Sequence, residues 1–308
     1  MLLNDIIKKA SASSASFINE CENEYFNKID LIAKNIASTA NEKPFVLISG
    51  PSGSGKTTSA TTLDCSLAKM GFETHTISLD NYFNGITEHE REAFLNNTLD
   101  LESPNRLNKE LLNSQLADLM AGKSVDLPRF DFAKNVRESS GEIIKLKKGE
   151  IIILEGIHSL NPDVIEHSDD FSTKVYVSVR TRIEYESGGK IRLMHPSKLR
   201  LARRLIRDIR TRGRSSSAII DLYHSVERGE ELYIMPHKHR ADFDIDTFVP
   251  YEPCIYTGIL PASLPEDEAR HPWLTELFTV LNMLPTVDAE LVPKNSLIRE
   301  FIGGGIYE

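Results

Sequence analysis

An α/β fold with a mostly parallel sheet and helices on both faces is predicted by three observations. Short apolar runs alternate along the chain with longer segments of helical period. Two of the runs, Phe45–Ile48 and Ile151–Leu154, are apolar throughout, as strands buried on both faces are. The first run passes through a glycine-rich turn directly into a helical segment. The chain has 308 residues, 40% of them hydrophobic and 26% charged, which excludes intrinsic disorder and allows one large α/β domain or two smaller ones.

In chain order, residues 1–43 read as helical, with Tyr25, Phe26, Ile29, Ile32, Ala33 and Ile36 at helical spacing and a break from Asn41 to Pro44. The first strand, 44–49, leads to a helix over Thr57–Met70 closed by Gly71. Thr74–Ser78 is a second strand, Leu107–Ala121 a helix stopped by Gly122, and Ile151–Leu154 a third strand. A fourth strand at Lys174–Val179, a helix at Ser197–Arg210 and a fifth strand at Phe243–Val249 follow. Pro261–Glu268 reads as a linker before short helices that pack back onto the domain. The expected organisation is a helical extension at 1–43, a central domain at 44–260 and a C-terminal helical tail at 261–308.

The net charge of −9 argues against general binding to nucleic acid. Residues 180–214 nevertheless hold 12 Lys/Arg against 3 Asp/Glu, a local +9 that leaves −18 on the rest. A basic island on an acidic chain suits a small, highly charged anion. No apolar run reaches the ~18 residues of a membrane span, and the first residues lack the long apolar core of a secretory signal. Cys21, Cys65 and Cys254 are scattered and odd in number, so neither a disulfide framework nor a zinc pattern is expected. A cytoplasmic protein without membrane or nucleic-acid partners follows as the expectation, with a homo-oligomer left open.

The turn after the first strand is Gly50-Pro51-Ser52-Gly53-Ser54-Gly55-Lys56-Thr57, which fits G-x-x-x-x-G-K-[ST]. Glycines let backbone N–H groups turn inward around phosphate oxygens, and the helix N-terminus adds its positive end. Gly50, Ser52, Gly53, Ser54, Gly55, Lys56, Thr57 and Thr58 are therefore the expected nucleotide-phosphate-binding residues, with Lys56 on the β- and γ-phosphates and Thr57 on Mg²⁺. Asn27-Lys28-Ile29-Asp30 matches the guanine-reading string of GTPases, but it precedes the loop and Ile29 belongs to an apolar helix stripe. No glycine has an Asp three residues before it, so the switch that would accompany such a string is absent.

Asp80, just past the second strand, is expected at the sheet edge that faces ligands in open α/β folds, where a carboxylate can accept the proton of an attacking hydroxyl. Glu155 closes the third strand and is the expected second Mg²⁺-side group. The helix at Ser197–Arg210 keeps Leu201, Ala202, Leu205, Ile206 and Ile209 on one face and Arg203, Arg204, Arg207 and Arg210 on others, with Arg212-Gly213-Arg214 beyond. Such guanidinium planes over a phosphate site would neutralise a transferring group, with Asp208 orienting one of them. Tyr82 and Phe83 either wall the acceptor pocket or anchor the loop. His237-Lys238-His239 lacks a third ligand at plausible spacing and reads as a surface or lid loop; Trp273 and Phe278 read as core.

From about Pro44 to Tyr256 the chain resembles the uridine kinase/phosphoribulokinase family of P-loop kinases. The likeness rests on the phosphate loop, Leu79-Asp80-Asn81-Tyr82-Phe83, Asp131-Phe132, Leu154-Glu155-Gly156, and Arg203-Arg204-Leu205-Ile206-Arg207-Asp208 continuing to Arg212-Gly213-Arg214. Arg228-Gly229-Glu230-Glu231, the Pro236 region and Ile298-Arg299-Glu300-Phe301-Ile302-Gly303-Gly304 are similar to the bacterial branch that often carries a TGS domain, for which the first 43 residues leave no room.

The resemblance implies a P-loop NTPase fold whose five parallel strands run 2-3-1-4-5, an arginine-rich lid, and ATP with Mg²⁺. It implies Asp80, Lys56, Arg207 and Arg212 as catalytic, and Arg214 with the loop as ATP-binding. Asp80, Tyr82, Phe83, Phe130, Phe132, Asn135, Arg137, Arg204, Arg207 and Arg212 are the implied acceptor site. Three features depart from uridine kinases: Phe130 and Asn135 stand where Tyr and His are usual, Leu222 replaces a Gln, and the stretch from Thr181 to Ser197, with Gly188-Gly189 and His195-Pro196, is long. The leading expectation is phosphoryl transfer to the 5′-hydroxyl of uridine or cytidine. A sugar phosphate or another small alcohol as acceptor, and an ATP-binding switch without acceptor, are the alternatives.

Overall fold

The computed structural model describes residues 1–96, 98–186, 190–265 and 271–306. Its centre is a five-stranded parallel sheet built from β1 (Phe45–Ser49), β2 (Thr74–Ser78), β5 (Ile151–Glu155), β6 (Ser172–Ser178) and β9 (Phe243–Asp246). Their order across the sheet is β2-β5-β1-β6-β9, which in these strands' own succession along the chain is 2-3-1-4-5. Alternate residues sort to opposite faces: Val46, Ile48, Ile151 and Ile153 enter one apolar core, Phe45, Leu47, Ile152 and Leu154 the other. Burial on both faces is why these strands read as unbroken apolar runs.

Helices α1 (Leu3–Ala12) and α2 (Ser14–Thr39) belong to the first core rather than standing apart from it. Tyr25 and Ser59 hydroxyls hydrogen-bond at 3.0 Å, and Ser66 donates to Asp30 at 2.7 Å, so α2 lies on α3 (Lys56–Lys69). Ile29 is fully buried and Asp30 is a packing partner, which disposes of the guanine-reading string. On the other face, α4 (Lys109–Met120) packs Leu112, Leu116 and Leu119 into the second core.

Two antiparallel hairpins lie outside the expected elements. The pair β3 (Ser124–Asp131) and β4 (Val136–Lys145) flanks the loop after β2, and β7 (Ile183–Glu186) pairs with β8 (Lys190–Met194) ahead of α5 (Pro196–Arg212). The second hairpin accounts for the long stretch after Thr181; Gly188 and Gly189 lie outside the described residues. An unexpected α6 (Ser216–Gly229) follows, and β9 ends three residues earlier than expected. Helix α7 (Glu252–Ser263) runs through the place expected to begin a linker: Pro261 to Ser263 are helical, and 266–270 lie outside the described residues. Helices α8 (Thr275–Leu281) and α9 (Arg299–Ile302) form the tail, with Trp273 and Phe278 packed against the first core as expected. Among the described residues no helix is long and apolar enough to cross a membrane.

Candidate active site

Because the five strands are parallel, the loops that leave their C-terminal ends gather at one edge. The phosphate loop leaves β1 in the middle of the sheet, Glu155 ends β5 beside it, and Asp80 follows β2 in a 3₁₀ turn, Leu79–Tyr82. Gly50 passes so close to β6 that a Cβ would lie 1.9 Å from the Val177 carbonyl oxygen, and Gly55, with φ +83°, turns the chain into α3.

The carbonyls of the loop are tied outward. Arg200 donates to Ser52 O at 3.3 Å, Arg203 to Gly53 O at 3.1 Å, and the Thr247 hydroxyl to Ser54 O at 2.7 Å. In a planar trans peptide the following N–H points the opposite way, so the amides of Gly53 and Gly55 face away from these partners, while the Ser54 N–H donates to Pro51 O at 3.2 Å. Arg203 is fully buried, and its guanidinium is held in a fork by the equally buried Glu252 at 2.7 and 2.8 Å. Arg204, expected beside the acceptor, instead donates to the Ser52 hydroxyl and is buried against the loop. Arg200, Arg203 and Arg204 recur at i, i+3 and i+4, so one helix face carries this grip. Arg203 was expected among the guanidinium planes over the phosphate site, whereas Arg200 had no expected role.

Asp208 is the fully buried hub of the lid. Its carboxylate accepts from Arg207 Nε at 2.8 Å, with Arg212 at 3.6 Å and Arg204 at 3.9 Å. Gly213 then ends α5 in the left-handed region, and Arg214 beyond it is exposed.

Lys56 donates to the Pro51 carbonyl at 3.2 Å. Burial pushes its ammonium below the usual lysine range, against the pull of Glu155, Asp80, Glu300 and Glu102. Asp80 is reachable from the cleft, yet protein crowds its remaining sides. That crowding pushes its carboxyl up, opposed by Lys56 and Arg212. Glu155 is also pushed up by burial, with Lys56 opposing and Ser78 donating to it at 2.7 Å. Thr57, at the start of α3, is exposed.

Three of the residues expected at the acceptor site form an aromatic cluster. Phe130 and Phe132 pack edge-on with ring centres 4.9 Å apart, and Phe83 lies 6.2 and 6.0 Å from them. Tyr82 is a correction: it is 1% exposed, with its hydroxyl on Gln115 at 2.7 Å, so it anchors the turn in the second core. Asn135 and Arg137, also expected at the acceptor site, are half-buried and bond to the neighbouring loop. Asn135, at φ +59°, accepts from Ile86 N at 2.8 Å and donates to Ile86 O at 3.1 Å. Arg137 donates to Phe83 O at 3.2 Å. Both fasten the 82–86 loop to the hairpin.

Two acids escaped the sequence reading because only the fold brings them here. Glu300 comes from the tail and accepts from the Thr58 hydroxyl at 2.6 Å. Glu102 sits where a Cβ on Gly229 would strike it, and burial pushes its carboxyl up to about 7, with Arg204 and Lys56 opposing. A carboxyl whose folded pKa is raised binds its proton more tightly when folded, so its contribution to stability is full below the unfolded value and is lost as pH rises to about 7. Glu102→Gln is expected to flatten the fall in thermal stability between pH 4.5 and 7, measured as Tm against pH.

Among the described residues, one set of three ligand-type side chains could share an ion: Glu73, His75 and Glu150, at the opposite edge of the sheet. Lys147 already supplies it with a cation, 2.7 Å from Glu150. His237, Lys238 and His239 lie in a 3₁₀ turn, Met235–Arg240, outside that set.

The family model described as "Phosphoribulokinase / Uridine kinase family" matches residues 45–251, two thirds of the chain. The chain belongs to the phosphoribulokinase/uridine kinase family. Curated relatives include a uridine kinase from Ligilactobacillus salivarius, 32% identical over 67% of this chain and 86% of its own length. A uridine kinase from Halobacterium salinarum is 29% identical over 64% and 77%. A solved structure described as a possible uridine kinase from Bacillus stearothermophilus covers 71% of this chain and 98% of its own, at TM-score 0.48 and 19% identity. As a member of the phosphoribulokinase/uridine kinase family, the chain is a phosphotransferase with an alcohol acceptor and ATP as co-substrate.

Proposed function

We propose that the chain transfers the γ-phosphoryl group of ATP to the 5′-hydroxyl of a pyrimidine nucleoside. The observation that carries this reading is Asp80. It is an accessible carboxylate with a raised pKa, on the same sheet edge as the phosphate loop, under the influence of both Lys56 and Arg212. A base in that place takes the hydroxyl proton as the oxygen attacks. Lys56 and the amides of the loop bind the β- and γ-phosphates, while Arg207 and Arg212, oriented by Asp208, face the transferring group. The three phenylalanines supply an apolar, aromatic wall for a base.

A magnesium ion fits the residues present. Glu155 is a buried carboxylate whose charge is poorly compensated, and the exposed Thr57 hydroxyl offers a second hard oxygen. When bound, the ion would neutralise phosphate charge; Thr57 and Glu155 are the groups that would hold it.

A second reading, with a sugar phosphate or other small alcohol as acceptor, is favoured by one feature. The Asn135 amide is spent on Ile86 and Phe130 has no hydroxyl, so this wall offers a base few hydrogen bonds. The test is ADP release from Mg-ATP with uridine, cytidine, purine nucleosides, ribulose 5-phosphate and a blank. Stimulation by uridine or cytidine is expected. Turnover on the sugar phosphate alone would transfer the conclusion to the second reading.

A further inference from the structure

A cavity of about 400 Å³ opens beside α3, immediately past the phosphate loop. Its lining includes Thr58 of α3, Arg207, Arg210 and Arg212 of α5, and Arg299 and Glu300 of the tail. Thr57 also borders it, so the cavity is continuous with the start of the helix that receives the donor's phosphates. A nucleotide whose phosphates lie in the loop must continue somewhere, and this is the roomy direction along the same helix face.

The tail that closes the cavity is fastened in place. Leu297 packs on the phosphate loop so closely that a Cβ on Gly55 would lie 2.9 Å from its Cδ1. The Ser296 hydroxyl donates to Glu22 of α2 at 2.7 Å, and the Phe301 ring lies 4.8 Å from the Arg203 guanidinium. Glu300 is thereby held at the cavity wall, with Oε2 accepting from Thr58 at 2.6 Å and Oε1 3.8 Å from Arg207. An ionised carboxylate only accepts hydrogen bonds and has about four sites for them; Thr58 fills one. Of the parts of a nucleoside triphosphate, the anionic phosphates suit the four arginines of the lining, whereas the ribose hydroxyls, as neutral donors, suit the Glu300 carboxylate.

We propose that residues 296–305 form a wall of the donor-nucleotide site and that Glu300 binds the ribose hydroxyls of the donor. This rests on the donor site read above, and it makes the tail a determinant of donor choice rather than a packing appendage. Glu300 would then select ribonucleotides over deoxyribonucleotides by a charge-assisted hydrogen bond that the deoxy donor cannot make.

The test is equilibrium binding of ATP, 2′-deoxyATP and 3′-deoxyATP, with Mg²⁺ and no acceptor, to the full chain. Wild type, Glu300→Gln and Glu300→Ala are compared, each checked for an unchanged unfolding transition. Wild type is expected to bind at least one deoxy analogue about tenfold more weakly than ATP. Glu300→Ala should bind ATP only as well as that analogue, and Glu300→Gln, which keeps a neutral acceptor, should fall between. Equal binding of ATP and both analogues by wild type would overturn the proposal. Parallel weakening of all three in the variants would overturn it too, by reducing Glu300 to a support for Thr58. Tighter binding of all three would make the tail an obstruction instead. Wild type that binds no nucleotide would bring down the donor site itself, an outcome distinct from intact ATP binding without discrimination.

Discussion

Replacing Asp80 by Asn is expected to lower kcat by about 10²–10⁴ while Mg-ATP affinity stays nearly unchanged. Asparagine fills the same space beside the cleft but cannot take a proton. In the proposed reaction ATP affinity rests elsewhere, on the loop amides and Lys56, with the loop itself held by the arginine bonds to Ser52 and Gly53. The wild-type pH profile carries the same signature. Protein crowded against the sides of Asp80 away from the cleft raises its carboxyl, so the acid limb of kcat/KM should lie above the ordinary carboxylate range and activity should fall as pH drops through it. Steady-state kinetics on the preferred acceptor decide the matter: an Asp80→Asn enzyme with wild-type turnover removes Asp80 from the role of base.

Glu252→Ala is expected to destabilise the fold by about 3–5 kcal/mol, the cost of stranding a buried charge without its partner. Arg203 would keep its bonds to Gly53 O and Thr247 O, yet lose both carboxylate contacts with no solvent to replace them. The Tyr256 hydroxyl, which donates to the same Glu252 carboxylate at 2.6 Å, would lose its acceptor as well. Chemical denaturation measures the loss. Since Arg203 also positions the phosphate loop, ATP binding should weaken in the folded fraction. A variant as stable as wild type would show that the pair does no more than fill space.

The elements closest to the chemistry were the most legible. Phe45–Ser49, the glycine loop and the start of α3 are local in sequence, and the loop's chemistry requires that strand, turn and helix be contiguous. The arginine helix was readable for the same reason, because its buried and basic faces both follow the helical period. The hairpin β3–β4 was not. Most of β4 is exposed on both sides, so Val136–Lys145 lacks the alternation that marks a half-buried strand. Helix α6 does show Ile219, Ile220, Tyr223 and Val226 at helical spacing and could have been read.

At the site, residue type was legible and direction was not. Asp80, Lys56 and Glu155 cluster because each ends or follows a parallel strand. Tyr82, Asn135, Arg137 and Arg204 sit near the cleft but spend their polar atoms on the scaffold, a choice made by neighbours distant in sequence. Glu300 reaches Thr58 across 242 residues, a contact that no local pattern announces.

The most direct test is to incubate wild type with Mg-ATP and uridine, separate the products, and identify the phosphorylated position. The 5′-monophosphate with stoichiometric ADP is the predicted result, its formation depending on Asp80. Unchanged uridine beside rapid phosphorylation of a sugar phosphate or another alcohol would contradict the assignment of the acceptor.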